Sequence, residues 1–180
     1  PNLSKIDSDK VVLIDSSTVN LAIAGIVDTE PKKLNSYYID ENEISNKDYY
    51  EFLNSPSYQN SKFWNDLIKK HKIKRFSYND ISRFLDNTGR NGPSTWSVGK
   101  YKENQENFPV LGISWFEALA YCEFRGKTLP NIYQWDKSAG MTSANFIIPG
   151  SNILKNSPVD IDSKTVRGYY GLKHVAGNAR

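Results

Sequence analysis

Two long stretches of the chain lack the spacing of both helices and strands, and they limit the fold more than any other feature. They cover residues 88–108 and 140–171, and glycine and proline interrupt both. Such segments are uncommon inside a compact domain and need something else to order them. Aromatic side chains suit this task because they bury a large area with few rotatable bonds. The chain is 13% aromatic, so we expect aromatic clusters or a bound metal ion to order these stretches.

Four segments carry the signal of a helix start. In each, a serine or asparagine is followed three residues later by an acid or amide, and the two side chains bond each other's backbone N–H groups. The pairs are Ser45 with Asp48, Ser77 with Asp80, Ser114 with Glu117, and Asn131 with Gln134. The predicted helices cover residues 45–54, 77–86, 114–125 and 131–138.

Apolar spacing predicts which side of two of these helices faces the core. The third helix would bury Trp115, Ala118, Leu119 and Cys122, and the fourth would bury Trp135. We expect both tryptophans to be core residues rather than ligand-binding ones. A free thiol on an apolar helix face usually behaves as a small hydrophobic group, so Cys122 is expected to be buried and unreactive.

Short runs of β-branched and aromatic residues predict strands near the start of the chain. They lie at residues 11–14, 19–26 and 37–39. A length of 180 residues is enough for one domain with a sizeable core. The sequence therefore predicts a single, loop-rich α+β domain over residues 1–180, in which residues 1–36 supply the N-terminal strands.

Charge and cysteine content exclude several classes of function. The net charge is only +3, and the one dense basic run, residues 69–75, has no base-stacking motif beside it. An exposed surface is a better interpretation of this run than a nucleic-acid site, so no nucleic-acid partner is expected. No apolar run approaches the roughly 18 residues of a membrane span. The single cysteine excludes a disulfide within the chain.

Four segments, taken in order, resemble the formylglycine-generating-enzyme (sulfatase-modifying-factor) family. They include YIDENEISN at residues 38–46, FPVLGISW at 108–115, GKTLPN at 126–131 and GLKHVAGNAR at 171–180. Residues 86–96 resemble the subgroup that is fused to bacterial serine/threonine kinases. The resemblance covers residues 37–180 and implies a C-type-lectin-like fold with little regular secondary structure. It also implies a larger multidomain chain, of which this domain would be truncated at its C-terminus.

The resemblance implies two alternative functions. In the first, the intact parent oxidises a cysteine of a protein or peptide client, such as a sulfatase, to formylglycine. Copper would then be held by two cysteines downstream of this chain, so this segment would carry no catalytic residue and be inactive alone. In the second, the domain is a non-catalytic recognition module of a signalling or surface protein. A third alternative, an iron-dependent sulfoxide-forming relative, would need a separate helical iron-binding domain.

Calcium is the other cofactor that the resemblance implies. One site would use Asn152 and the backbone oxygen of Ile153, and a second would use the backbone carbonyls of Gly177 and Ala179. Calcium prefers carboxylate, amide and carbonyl oxygens. His174 lies where the family has an asparagine or aspartate, and imidazole is a poor calcium ligand.

Overall fold

A computed structural model describes residues 11–21, 30–140, 144–153 and 157–179. The chain forms two compact units. The first unit consists of residues 1–43 and 130–178, and the second consists of residues 44–129 and 179–180. The single domain over residues 1–180 stays a prediction.

The described elements are short and mix strands with helices, as the α+β prediction requires. None of the described helices is both long and apolar enough to cross a membrane. In chain order the elements are β1 (Val11–Ile14), β2 (Ser17–Val19), β3 (Lys32–Leu34), β4 (Tyr37–Asp40), α1 (Asn46–Leu53), α2 (Ser61–Lys70), a 3₁₀ helix (Tyr78–Arg83), α3 (Trp115–Phe124), α4 (Ile132–Ala139), α5 (Ala144–Ile147) and a second 3₁₀ helix (Ile148–Gly150).

The described part of the first unit contains two separate antiparallel strand pairs. β1 pairs with β4, and β2 pairs with β3. The predicted strands at residues 11–14 and 37–39 are confirmed, whereas β3 was not predicted. Within the predicted run 19–26, residue 19 ends β2, and residues 22–29 lie outside the described residues. In each strand of the β2–β3 pair one apolar residue is buried, Val19 and Leu34.

Helix caps follow the sequence prediction at α1, α3 and α4. The reciprocal bonds of a capping box form between Ser114 and Glu117 and between Asn131 and Gln134. The box at Ser77 starts a 3₁₀ helix instead of an α-helix. α2 was not predicted because Phe63 stands where the pattern requires an acid or amide. Its cap is a single bond, from the Lys62 N–H to Asn60 Oδ1 at 2.9 Å.

The predicted inner face of α3 was wrong in part. Glu117, which completes the capping box of this helix, is buried. Residues two apart on a helix lie about 200° apart, so Trp115 points outward and is 57% exposed. Cys122 is half-buried rather than fully buried. Trp135 on α4 is also largely exposed, at 42%, so neither predicted tryptophan is a core residue.

An aromatic cluster forms the core of the second unit. The Tyr49 ring packs edge to face against Trp96, with centroids 6.1 Å apart. Trp96 belongs to the irregular stretch 88–108, is almost fully buried, and donates its indole N–H to Asn46 Oδ1 at 3.0 Å. An aromatic side chain therefore ties this stretch to α1. The buried members of the cluster are Tyr49, Phe52, Leu53, Tyr58, Trp64, Leu67, Phe76, Ile81, Trp96, Val110, Leu119, Ala120 and Tyr121.

A buried carboxylate orders the rest of the same stretch. Asp86 Oδ1 accepts bonds from the Thr88 N–H and hydroxyl, both at 2.7 Å, and from the Arg90 N–H at 3.0 Å. Asp86 Oδ2 accepts from the Gly99 N–H at 2.6 Å. Burial acts to raise the pKa of Asp86, but these hydrogen bonds, led by that from Gly99, outweigh it and hold the pKa well below its ordinary value. Asp86 is therefore ionised and fixes both ends of the loop.

Glu117 combines its capping role with a contact to the buried Tyr49 and an electrostatic effect on the buried Tyr58. Its Oε2 accepts from the Ser114 N–H at 2.7 Å, and its Oε1 lies 3.4 Å from the Tyr49 hydroxyl. Burial raises the pKa of Glu117, and the hydrogen bonds from Ser114 oppose this rise. Burial and the Glu117 charge also raise the pKa of Tyr58. The cap therefore places a carboxylate in an apolar core.

Replacing Glu117 by glutamine should keep the cap and remove the buried charge. The amide oxygen can accept from Ser114 N–H, and the NH₂ group can donate to Tyr49. Because the folded-state pKa of Glu117 is above its ordinary value of 4.5, its contribution to stability is complete below pH 4.5 and is lost as pH rises through the folded-state pKa. Urea unfolding at pH 4.5 and pH 8 should therefore show a smaller decrease for Glu117→Gln than for the unsubstituted chain.

Two variants separate the charge from the cap. Glu117→Ala should lose about 1–3 kcal/mol of unfolding free energy at both pH values, since it leaves the Ser114 N–H unbonded. The exposed control Glu103→Gln should behave as the unsubstituted chain. Equal losses for Glu117→Gln and Glu117→Ala would show that the amide does not replace the carboxylate.

Candidate functional site

Two backbone segments of the first unit approach each other closely at Gly177. Gly177 has a φ of +82°, and a Cβ atom there would lie 2.6 Å from the Asn152 carbonyl oxygen and 2.9 Å from Ile153 Cγ1. Only glycine fits such a position without strain. We call Asn152, Gly177 and Asn178 the asparagine clasp. Its close approach brings residues 152–153 against residues 177–178.

Asn178 is the hydrogen-bonding centre of the asparagine clasp. It is buried and left-handed, with a φ of 63°. Its N–H donates to the Asn152 carbonyl at 3.1 Å, and its Oδ1 accepts from Asn152 Nδ2 at 2.9 Å and from the Val159 N–H at 2.8 Å. Its Nδ2 donates to Glu43 Oε2 at 2.5 Å and to the Val159 carbonyl at 3.2 Å. One side chain thus joins three segments of the unit.

The structure brings together three of the four residues predicted to bind calcium. Asn152, Ile153 and Gly177 are adjacent, while Ala179 is exposed two residues after Gly177. The carbonyl of Asn152 accepts a hydrogen bond from Asn178, and the carboxylate bonded to the clasp, that of Glu43, accepts one too. No group of three or more histidine, cysteine, aspartate or glutamate side chains that could hold a metal occurs among the described residues. Calcium binding stays a prediction.

An ion-pair network lies in the same unit. Arg167 Nη1 is 2.5 Å from Glu41 Oε1, and Lys173 Nζ is 3.1 Å from Asp162 Oδ1 and 3.9 Å from Glu41 Oε1. The Lys173 side chain is 13% exposed, and its N–H donates to the Glu41 carbonyl at 2.9 Å. These bonds hold residues 167–173 against the end of β4.

His174 follows this network and is buried, with a left-handed φ of 53°. Burial, together with the charge of Lys173, lowers the pKa of His174, while contacts with the Ile161 backbone and the Asp160 charge act in the opposite direction. The imidazole is therefore neutral at pH 7. A neutral, buried ring at this point fills the core of the unit. Its place at a metal position stays a prediction.

Sequence reasoning did not identify Glu43 and Asn178 as site residues. The available signal was the Gly-Asn pair at 177–178, because glycine and asparagine are the residues that most readily take a left-handed conformation. The members of the ion-pair network gave no such signal. Glu41 and Arg167 are separated by 126 positions, and only the folded chain brings them together.

The asparagine clasp contains no thiol, and the single cysteine of the chain is Cys122. Cys122 belongs to α3 in the second unit and is half-buried. A nucleophile needs an adjacent base or an electropositive setting to be activated. The asparagine clasp offers amide and carbonyl groups that bond one another. These bonds hold segments of the first unit together and therefore have a structural role.

Replacing Gly177 by alanine should disrupt the asparagine clasp. The methyl group would clash with the Asn152 carbonyl, and the left-handed backbone would add strain, so we expect a loss of about 2–5 kcal/mol of unfolding free energy. Gly171→Ala is the matched control, since Gly171 has a φ of +89° but no atom within 4 Å of the new Cβ. It should lose only about 1–2 kcal/mol. Equal losses in urea unfolding would contradict the close packing at Gly177.

Comparisons with known proteins give partial matches to formylglycine-generating enzymes and their relatives and to serine/threonine-protein kinases. The formylglycine-generating enzyme of Mus musculus is 28% identical over 131 residues, which cover 68% of this chain and 35% of that enzyme. The serine/threonine-protein kinase pkn1 of Chlamydia pneumoniae is 28% identical over 152 residues, which cover 81% of this chain and 22% of the kinase. The inactive C-alpha-formylglycine-generating enzyme 2 of Bos taurus is 29% identical over 75 residues, which cover 38% of this chain and 25% of that protein.

The chain spans about a third or less of the length of each of these relatives. A model of the family described as the sulfatase-modifying factor enzyme 1-like domain matches residues 4–166, which is most of the chain. The chain therefore belongs to the sulfatase-modifying factor enzyme 1-like domain family.

Proposed function

We propose that this chain acts as a polypeptide-recognition domain and does not itself oxidise a cysteine. The observation that carries the proposal is the thiol content of the chain. Cys122 is its single cysteine, whereas the oxidation that the family resemblance implies uses copper held by two thiols. Copper(I) is a soft ion that thiolates suit. One cysteine cannot supply the two thiolates of such a copper site.

The setting of Cys122 also opposes a catalytic role. It lies one residue after the buried Tyr121 on α3, and its side chain is only partly exposed. Reactive thiols are accessible and sit in electropositive surroundings that lower their pKa. Cys122 therefore serves packing in this proposal.

The relatives support the proposal that this domain is part of a larger protein. The match to the Chlamydia pneumoniae kinase covers more of this chain than the match to the mouse enzyme does, 81% against 68%. A relative named as an inactive enzyme also matches. Recognition by this domain would position a client for another part of the parent protein. We propose a C-type-lectin-like fold for the domain, consistent with family membership and with the short elements described above.

The alternative function is oxidation of a client cysteine to formylglycine by the parent protein. The similarity to the mouse enzyme favours this alternative. So does the similarity to the formylglycine-generating enzyme of Bos taurus, which is 27% identical over 131 residues. In this alternative the parent supplies the thiol pair outside residues 1–180, and the described units supply the scaffold. Calcium at the two predicted sites, one with Asn152 and Ile153 and the other with Gly177 and Ala179, would be structural in either case.

Residues 1–180 should leave a client cysteine unchanged. The purified chain would be incubated with copper, oxygen and a peptide that contains Cys-x-Pro-x-Arg, and the peptide mass would be followed. We expect no formylglycine above a metal-only control, because one half-buried thiol cannot supply a two-thiolate site. Cys122→Ser should give the same result.

Formylglycine that forms with the unsubstituted chain and disappears in Cys122→Ser would contradict the proposal. It would make Cys122 a copper ligand. Activity of a longer parent chain, with residues 1–180 inactive, would instead favour the alternative function.

A further inference from the structure

A cluster of unpaired cations lies at the C-terminal end of α2. We call Lys69, Lys72, Lys74 and Arg75 the basic patch. All four side chains are exposed, and none forms an ion pair with any of the described residues. Like charges closer than the Debye length, about 8 Å at physiological salt, repel one another, and Lys74 and Arg75 are neighbours in the chain. An anionic partner would relieve this repulsion.

The basic patch concentrates the positive charge of the whole chain. Residues 62–75 contain six lysines and arginines and one aspartate, although the net charge of the chain is only +3. The remaining residues are therefore slightly acidic. A charge distribution this uneven creates a local positive field, which steers oppositely charged partners to one surface.

The backbone at the helix end places one of these cations at an unfavourable position. The Ile73 N–H bonds the Ile68 carbonyl at 3.0 Å, and the Lys72 N–H bonds the Lys69 carbonyl at 3.2 Å. This is the Schellman ending, in which glycine usually occupies the left-handed position. Here Lys72 occupies it, with a φ of 52°. The helix dipole explains cations in the last turn, at Lys69, but not a lysine at this strained position.

A groove beside α2 reaches Lys70, the last residue of the helix, and the basic patch begins at the neighbouring residue Lys69. It has a volume of about 380 Å³ and an apolar floor formed by Phe63, Leu67 and Phe124. Phe63, Leu67 and Lys70 are spaced by four and three residues, so they share one face of α2 that leads to the helix end. The groove can therefore accept an apolar side chain while neighbouring groups reach the basic patch.

The acids at the rim of the groove are already neutralised. Glu123 Oε2 is 2.8 Å from Lys70 Nζ, and Asp66 Oδ2 is 2.7 Å from Lys62 Nζ. The rim thus adds no uncompensated negative charge to oppose an anionic partner.

We propose that the groove and the basic patch together bind an acidic polypeptide segment that inserts an apolar side chain. This inference rests on the proposed recognition function and names its partner chemistry. A polypeptide fits better than a nucleic acid, because no aromatic side chain of residues 62–75 is exposed for base stacking. It fits better than a membrane surface, because the apolar residues form a recess and not a protruding edge.

Fluorescence anisotropy with defined probes tests this inference. The probe is a fluorescein-labelled octapeptide of six glutamates and two central phenylalanines, and its control carries two alanines instead. We expect the phenylalanine peptide to bind more tightly than the alanine peptide. Neutralising the basic patch with glutamine at Lys69, Lys72, Lys74 and Arg75 should weaken binding about tenfold or more, since each exposed charge contributes modestly. Raising the salt concentration should also weaken it.

Lys72→Gly separates binding from folding. Glycine relieves the left-handed backbone, so this variant should unfold at a higher temperature while it binds the phenylalanine peptide less tightly. A double control, Lys32→Gln with Lys33→Gln, removes two exposed lysines of β3 in the first unit and should leave binding unchanged.

Three results would overturn the inference. These are equal affinity for the two peptides, equal loss in the β3 control, and tighter binding of a single-stranded RNA octamer or of phosphatidylserine vesicles. Each leaves standing the proposal that this chain does not itself oxidise a cysteine, because the formylglycine assay tests that part of the proposed function separately.

Discussion

Buried polar side chains that accept backbone N–H groups hold this structure together. Asp86 binds three backbone N–H groups of one loop, and Asn178 joins segments around Asn152, Val159 and Glu43. In a chain with short helices and two-stranded sheets, most loop N–H groups have no ladder to enter, yet buried N–H groups must be bonded. These two side chains meet that requirement. The segments that Asn178 joins include Asn152, one of the positions that the family resemblance associates with calcium.

The aromatic core of the second unit depends on the same kind of contact. Asn46 accepts the Trp96 indole N–H, and Glu117 lies against the Tyr49 hydroxyl. Edge-to-face contacts between aromatic rings then bury the apolar area that packing between long helices or large sheets buries in other proteins. A rigid frame of this kind leaves exposed positions such as the basic patch free to bind a partner. This separation of frame and surface fits a recognition domain.

The sequence predicted the elements with local signals and missed those without them. Capping residues predicted α1, α3 and α4, because the bonds of Ser114 and Asn131 are made within three residues. α2 lacks the acid or amide that completes this pattern. The asparagine clasp was predicted only in part, since the bond from Asn178 to Glu43 spans 135 positions. Apolar spacing predicts Trp115 on the inner face of α3, but it does not reveal that Glu117 is buried there instead.

Hydrogen exchange of individual loop amides, measured in EDTA, tests most directly whether the protein's own side chains order its loops. The informative amides are those of Gly99, bonded to Asp86, and Val159, bonded to Asn178. Both should exchange as slowly as the amides inside α3, and added calcium should not slow them further. Rapid exchange in EDTA that becomes slow when calcium is added would contradict this account and would identify a metal ion as the element that orders the loops.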